Sequence, residues 1–538
     1  MTPGVLLRRY QESGYAATDL TSATTDPLSG ITSTEEELGC YSELYSARAR
    51  VFVPADIEEL RRIFAYAREG GRRVTIRGGG HSFDAQALGD DIVVWMMRFD
   101  SIEVFADERK VRVGAGATWG AIFAKLEPLG LVPAVTVTTE RATAGGTLSG
   151  DCLSRFSPAY GKEGTRIESL DLLTTEGELV TCTAPREGVA RREWTLEERA
   201  FSGVIGGLGY LGAVVAITYS VLSVGETDGQ IGVRTLVRKY KSIQHLAADL
   251  VPTARRTFEE DSDPRDPTKL DAIWSALHSR RDGSQAALVF TSAFTDTPKR
   301  RRMAVHRPDL ALRLVVEWLM RVPLFAGLLW RFYFRFLFRD GEEYVDDLED
   351  YTFFMDGNAR AKRVARRLGF TLRNIQQTFV VPSDPGTEAG WDRAQDDLVE
   401  WLDYAHKFLL ERKLTPTLTD VLFLPKDLPF PLSASADLAG FAVSYAFETS
   451  DENTLERAKA AFSELADALW DNFRGRVYLV KNVHAQQSTL AAMYGENAVE
   501  FFRLKRELDP RSILRNDFLE RTFGDLLDRE RAGAGQSL

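Results

Sequence analysis

The pattern of apolar and polar positions becomes regular from Ala47 onward. Arg50-Val51-Phe52-Val53-Pro54 reads as a short strand. Asp56 then offers an N-cap to a helix over 57–69, with Leu60, Ile63, Phe64 and Ala67 on one face and Gly70-Gly71 at its end. Strand patterns follow at 73–76, 92–95, 102–104 and 110–113, and a helix runs from Thr118 to near Gly130. Residues 167–173 and 179–182 form a hairpin across Thr175-Glu176-Gly177-Glu178, and 213–224 is a β-branched strand. Past Gly225 the texture changes: over 226–470 glycine thins out, and arginine and long helical patterns increase. The closing stretch offers a strand at 477–480 and helices near 487–494 and 498–508. The pattern predicts an α+β chain with an N-terminal arm (1–45), a first domain (46–224), a second domain (225–475) and a returning C-terminal segment (476–538).

Composition narrows the function. The 538 residues carry 67 basic and 78 acidic side chains, a net charge of −11, which argues against a nucleic-acid partner because phosphate neutralisation needs basic surface. Three cysteines, Cys40, Cys152 and Cys182, are too few for a disulfide scaffold and fit no zinc spacing, so no metal site is expected. No signal-peptide pattern and no uncharged apolar run of about 20 residues is present, and the expected location is cytoplasmic.

Two glycine-rich stretches carry candidate chemistry. Arg77-Gly78-Gly79-Gly80-His81-Ser82 follows a strand, and serial glycines present successive backbone N–H groups to an anion such as a pyrophosphate. The spacing is not the Rossmann fingerprint. Gly145-Gly146, through Thr147 to Gly150, gives a second close backbone approach, preceded by Thr136, Thr138, Thr139 and Thr143, whose hydroxyls can donate to phosphate oxygens. Gly206-Gly207-Leu208-Gly209 comes later, so a single long diphosphate ligand could lie across several loops.

In combination these stretches resemble the flavin-dependent vanillyl-alcohol oxidase superfamily, with its PCMH-type FAD-binding domain. The branch they resemble holds aldonolactone and alditol oxidases and decaprenylphosphoryl-ribose 2′-oxidase. Arg77–Ser82 is similar to the family's first FAD loop. Gly145–Gly150 with the hairpin after Ile167 is similar to the second, and Gly206–Gly212, running towards Val214, to the closing element. Arg476–Lys481 and Leu508–Leu514 resemble the returning segment. The resemblance covers 46–224 and 350–520. It implies a two-subdomain FAD-binding domain plus an α+β cap with an antiparallel sheet, and an FAD-linked enzyme acting on CH–OH groups.

Residue by residue, the resemblance implies a covalent bond from His81 to the flavin 8α-methyl carbon; the alternative is a loop histidine beside noncovalent FAD. It implies Lys481 and Tyr478 at the ring, with Lys481 stabilising negative charge or acting as base. The plain alternative is a surface lysine at a strand end. Gln376, with Thr378, matches a substrate-facing cap strand, and His484 is a candidate second base or simply a buried histidine. Leu153 stands where the ribose-oxidase branch has a histidine near the flavin, and a cationic cap residue is missing around Phe423. Both departures weaken the case for a phosphoryl-sugar substrate. The implied partners are a small-molecule or lipid-like alcohol and O2 or another electron acceptor. Two other readings remain open: C=C reduction as in sterol Δ24-reductases, and a flavin-free binding homologue.

Residues 310–338 are aromatic-rich, and Arg331, Arg335 and Arg339 fall on one helical stripe, with Lys299–Arg302 upstream. This is the pattern of an interfacial membrane element, or of an amphipathic helix packed on the cap.

Overall fold

The computed structural model describes residues 28–224, 231–259, 269–279, 285–295, 338–356, 371–427 and 429–534. Most of the expected arm (1–27) and all but the end of the aromatic, basic stretch (301–337) lie outside the described residues, as do 225–230, where the second domain was expected to begin.

Three sheets organise the chain. In the first, β1 (Ser33–Gly39), β2 (Ser46–Phe52), β3 (Val74–Arg77) and β4 (Ile92–Trp95) lie in the order β1-β2-β4-β3. The β2-β4-β3 pairs are parallel, and β1 is antiparallel to β2 over its whole length. The first domain therefore begins before residue 46, inside the segment expected to be an arm. The helix Ile57–Glu69 starts where Asp56 accepts from the Glu59 amide, and it buries Leu60, Ile63, Phe64 and Ala67.

The second sheet joins β5 (Ile102–Phe105), β6 (Lys110–Gly114), β7 (Leu131–Pro133), β8 (Ile167–Leu173), β9 (Leu179–Thr183) and β10 (Ala213–Ser223). Its order is β5-β6-β10-β8-β9, with β7 on the end of β10. The second glycine stretch is itself a short helix, Ala144–Gly150, which the sequence pattern did not predict.

The third sheet is antiparallel and holds β11 (Gly232–Tyr240), β12 (Ala272–Ser279), β13 (Gln285–Thr295), β14 (Glu342–Asp347), β15 (Arg373–Ser383), β16 (Leu418–Leu424), β17 (Ala439–Thr449) and β18 (Arg476–Val477). Its order is β14-β11-β13-β12-β16-β17-β15-β18. Alternation divides its faces. Phe379, Val381, Val443, Tyr445, Val421 and Phe423 join the large core shared with helices Ile243–Glu259, Glu388–Glu411 and Glu452–Phe473. Val380, Ala442, Leu424 and Tyr478 face the other way and meet Leu153 and Val480. The returning segment thus begins as the edge strand of the cap sheet and then crosses to the glycine stretches. The two expected C-terminal helices are one element, Gln487–Leu508, kinked at Gly495 with φ 47°. Among the described residues no helix is long and apolar enough to cross a membrane.

Candidate active site

Four segments converge between the first two sheets and the cap sheet. The first and second glycine stretches touch directly: a Cβ on Gly78 would lie 2.2 Å from Thr143 Oγ1, and one on Gly79 would lie 2.5 Å from the Arg141 carbonyl. Only glycine permits that approach. Trp95 Nε1 donates to the Gly78 carbonyl at 2.8 Å and fixes the loop from below. The third segment docks through its backbone, with Gly206 N on Leu148 O at 3.0 Å and Leu208 N on Ser149 O at 2.8 Å. The fourth, 478–484, is clamped by Gln86, whose Nε2 donates to the Leu479 and Lys481 carbonyls at 2.9 and 3.0 Å. Asn482 adds a bond from Nδ2 to Phe83 O and accepts from the Gln376 amide. The loop after β3 therefore positions the lysine-bearing segment.

Several sequence-predicted residues have their side chains engaged by other parts of the protein. Arg77 is buried, and its guanidinium donates to Ala87 O at 3.0 Å and Gly39 O at 2.9 Å, so it braces the first loop. The Thr147 hydroxyl is bonded to Glu163 Oε1 and Ala144 O and accepts from Trp119 Nε1. Thr139 Oγ1 donates to Asp356. The Tyr478 hydroxyl donates to Asp151 O at 3.0 Å, so it ties the second glycine stretch to the cap edge instead of reaching towards a reacting atom. His484 lies on the helix side: its amide donates to Gln377 Oε1, and its ring stacks near Phe462. Gly145 packs on Ala115, Gly150 on Val480, and Gly146 beside Thr143. Gly80 (φ 71°) closes over the Arg77 guanidinium, and Gly209 (φ 81°) turns beside Ile76 towards the buried Val214.

The residues that remain fit an extended, hydroxyl-seeking ligand. Ser82 Oγ, Thr143 Oγ1 and Thr136 Oγ1 are enclosed without a hydrogen-bond partner among the described residues. Such groups are costly unless a ligand or water completes them. With the paired glycine surfaces they suit a diphosphate. His81 sits in the same loop, beside Tyr41 (ring centroids 6.3 Å apart), and burial, aided by the Arg141 and Arg77 cations, pushes its pKa down to about 3. Its imidazole is neutral at ordinary pH.

Lys481 is deep-set but partly open, with Nζ 3.9 Å above the Phe83 ring. Burial pushes its ammonium down from the ordinary lysine range, against the opposing pull of Asp420 and Cys152. Nearby, Thr378 Oγ1 and Ser444 Oγ are 2.8 Å apart, and Asp420 stands opposite Ser444 on the next strand. Gln376 shares the Thr378 face, one pleat along β15.

Sequence reasoning missed three groups. Asp420 is the lone charged residue of a mostly apolar strand, the one local signal available. Arg155 is buried between Trp274 (4.3 Å) and Phe354 (4.0 Å). Lys162 is fully buried and paired with both Asp151 and Asp427. Nothing local marks the last two.

Residues 48–183 match the family described as FAD binding domain. With the converging glycine segments, this makes the first domain an FAD-binding domain of the vanillyl-alcohol oxidase type, a family of flavin-dependent oxidoreductases. The chain is 25% identical over 507 residues to decaprenylphosphoryl-beta-D-ribose oxidase of Mycolicibacterium smegmatis, covering 88% of this chain and 94% of that protein. It is 29% identical over 167 residues to cytokinin dehydrogenase 2 of Arabidopsis thaliana and 30% over 146 residues to L-gulonolactone oxidase of Bos taurus. Those two matches span about a third of each relative (31% and 32%) and 30% and 27% of this chain. Of these three matches, the ribose-oxidase one is long enough to extend through the cap.

Proposed function

We propose that this chain oxidises an alcohol carbon, giving a ketone, aldehyde or lactone, with FAD as the immediate oxidant and O2 as the reoxidant. The observation that carries the reading is a deep-set lysine with no carboxylate within 4 Å among the described residues, held by the first FAD loop at the face of the cap sheet. Bound FAD would supply a hydride acceptor at N5. Ser82, Thr143 and Thr136 would hold the diphosphate, and the neutral His81 ring nitrogen has the lone pair needed to bond the 8α-methyl carbon. Lys481, biased towards its free amine, takes the hydroxyl proton as the C–H electrons leave. The ammonium so formed rests over Phe83 and near Asp420. Gln376 and Thr378 border the substrate cavity.

The test is acid precipitation of the purified yellow protein, followed by anaerobic flavin bleaching with an alcohol panel. Colour that stays in the pellet, and that His81→Ala releases, supports the covalent link; bleaching by alcohols supports the oxidation. Colour in the supernatant overturns the covalent link. Bleaching by a nicotinamide donor alone moves the assignment to a reductase.

A further inference from the structure

The site-side face of the cap sheet is largely apolar around one polar stripe. Leu422, Leu424, Ala442, Ala446, Val380 and Ala276 form the apolar floor, and Asp420, Ser444 and Thr378 cross it on three adjacent strands at one level. Asp420 is partly open, and one of its oxygens, Oδ1, is enclosed without a hydrogen-bond partner. Burial raises the pKa of its carboxyl, and the Ser444 hydroxyl, Lys481 and Arg155 pull it back down. Neither basic group forms an ion pair within 4 Å among the described residues: Lys481 rests on an aromatic ring, and Arg155 lies in an aromatic box with one bond from Nη1 to Tyr351 O at 3.3 Å. Around the carboxyl of Asp420 there are thus one permanent cation, Arg155, and one lysine whose ammonium form burial disfavours.

We propose that Asp420 is the specificity-determining residue of the cavity: it accepts a hydrogen bond from a donor on the substrate beyond the reacting carbon, a hydroxyl or a protonated amine, and it refuses anionic substrates, phosphate esters included. A carboxylate has only acceptors to offer, and its repulsion of a second anion is strong where water is scarce. Without Asp420, Lys481 and Arg155 would make the same cavity an anion site. This deepens the proposed oxidation and rests on it for the word substrate, but the charge rule can be read without turnover.

The experiment titrates the FAD-loaded protein with inorganic phosphate, following the flavin bands and tryptophan fluorescence, with flavin content and Tm as controls. Wild type and Asp420→Glu are expected to show no saturable change, whereas Asp420→Asn and Asp420→Ser gain phosphate binding at least about tenfold tighter. Wild-type binding of phosphate as tight as that of Asp420→Asn, or no gain in either neutral variant, overturns the proposal. A second arm needs no variant: anaerobic flavin reduction by glycerol is compared with that by glycerol 3-phosphate, and by an amino alcohol with that by its N-acetyl form. The first pair is expected to favour the uncharged alcohol, and a preference for the phosphate ester overturns the proposal. The second pair tells whether the donor is ammonium or hydroxyl. If no alcohol reduces the flavin, the oxidation reading fails while the phosphate titration still decides the role of Asp420.

Discussion

Lys162 and Lys481 flank the same short helix and are treated in opposite ways. Lys162 is sealed from solvent against Asp151 and Asp427, with Ser433 Oγ at 2.6 Å completing its donors. Its carboxylates are held in turn: the Gly164 amide bonds Asp151 Oδ1, and the Ser433 and Ser435 hydroxyls bond Asp427 Oδ2, while Asp427 Oδ1 has no hydrogen-bond partner among the described residues. The two acids outweigh burial and raise the pKa of Lys162. Lys505 is likewise met by several acceptors, with Asp509, Tyr210 O and Leu514 O as partners. Lys481 has an aromatic face and a distant acid, and burial wins. A charge completed on all sides holds parts together; here Asp427 and Ser433 come from the cap and Asp151 from the first domain. A charge left incomplete at a cavity is free to change its protonation during a reaction.

The largest expected effect breaks the paired side. Lys162→Met leaves two buried carboxylates facing each other, and the loss of unfolding free energy is about 3–5 kcal/mol, measured by denaturant unfolding of the FAD-loaded protein. An unchanged midpoint would mean that the triad does not join the two domains. Lys481→Met should do the reverse. Flavin reduction by substrate slows by about 10²–10⁴-fold, the range for losing a general base, while Tm stays level or rises because a poorly solvated amine has gone. A Tm loss matching that of Lys162→Met would erase the contrast.

The smaller test concerns a buried acid completed by neutral donors instead of a cation. Thr147 and Tyr219 both donate to Glu163 Oε1, at 2.8 and 2.7 Å, and burial raises its pKa from 4.5 to about 8. The folded state therefore keeps this proton where the unfolded chain has released it. That contribution to stability is complete below about pH 4.5 and is lost as pH rises through about 8. Wild-type Tm should fall across that window more than the Tm of Glu163→Gln, which keeps the acceptor oxygen. Parallel curves would mean that Glu163 is already ionised.

Much of the first domain was legible because its signals are local. A cap at Asp56, the apolar stripe of the helix it opens and the hairpin turn after Leu173 are each decided within a few residues, and the structure reproduces each of them. The FAD-binding character of 48–183 was legible through the family resemblance that the glycine runs carry. The arm was misread because β1 is short and polar, and its partner β2 alone reveals it as a strand. The second glycine stretch was read as a loop because glycine has poor helix propensity; contact with Ala115 and Thr143 overrides that preference.

The direction and completion of each polar side chain were beyond local reach. Thr139, Thr143 and Thr147 look alike in sequence, yet two have their hydroxyls bonded within the protein and the third is left without a partner. The resemblance implies Tyr478 at the flavin ring, whereas in the structure a backbone carbonyl 327 residues away accepts from its hydroxyl. Sequence alone determined which segments carry glycine, hydroxyls and charge, and it placed the strands and helices whose signals are local, because propensity and periodicity act over a few residues. Tertiary structure alone decided which lysine is paired with acids and which is left incomplete, and that a single acid on β16 lies within electrostatic reach of Lys481 and Arg155. A charge's environment is set by groups brought together from distant parts of the chain, and no local pattern encodes that meeting.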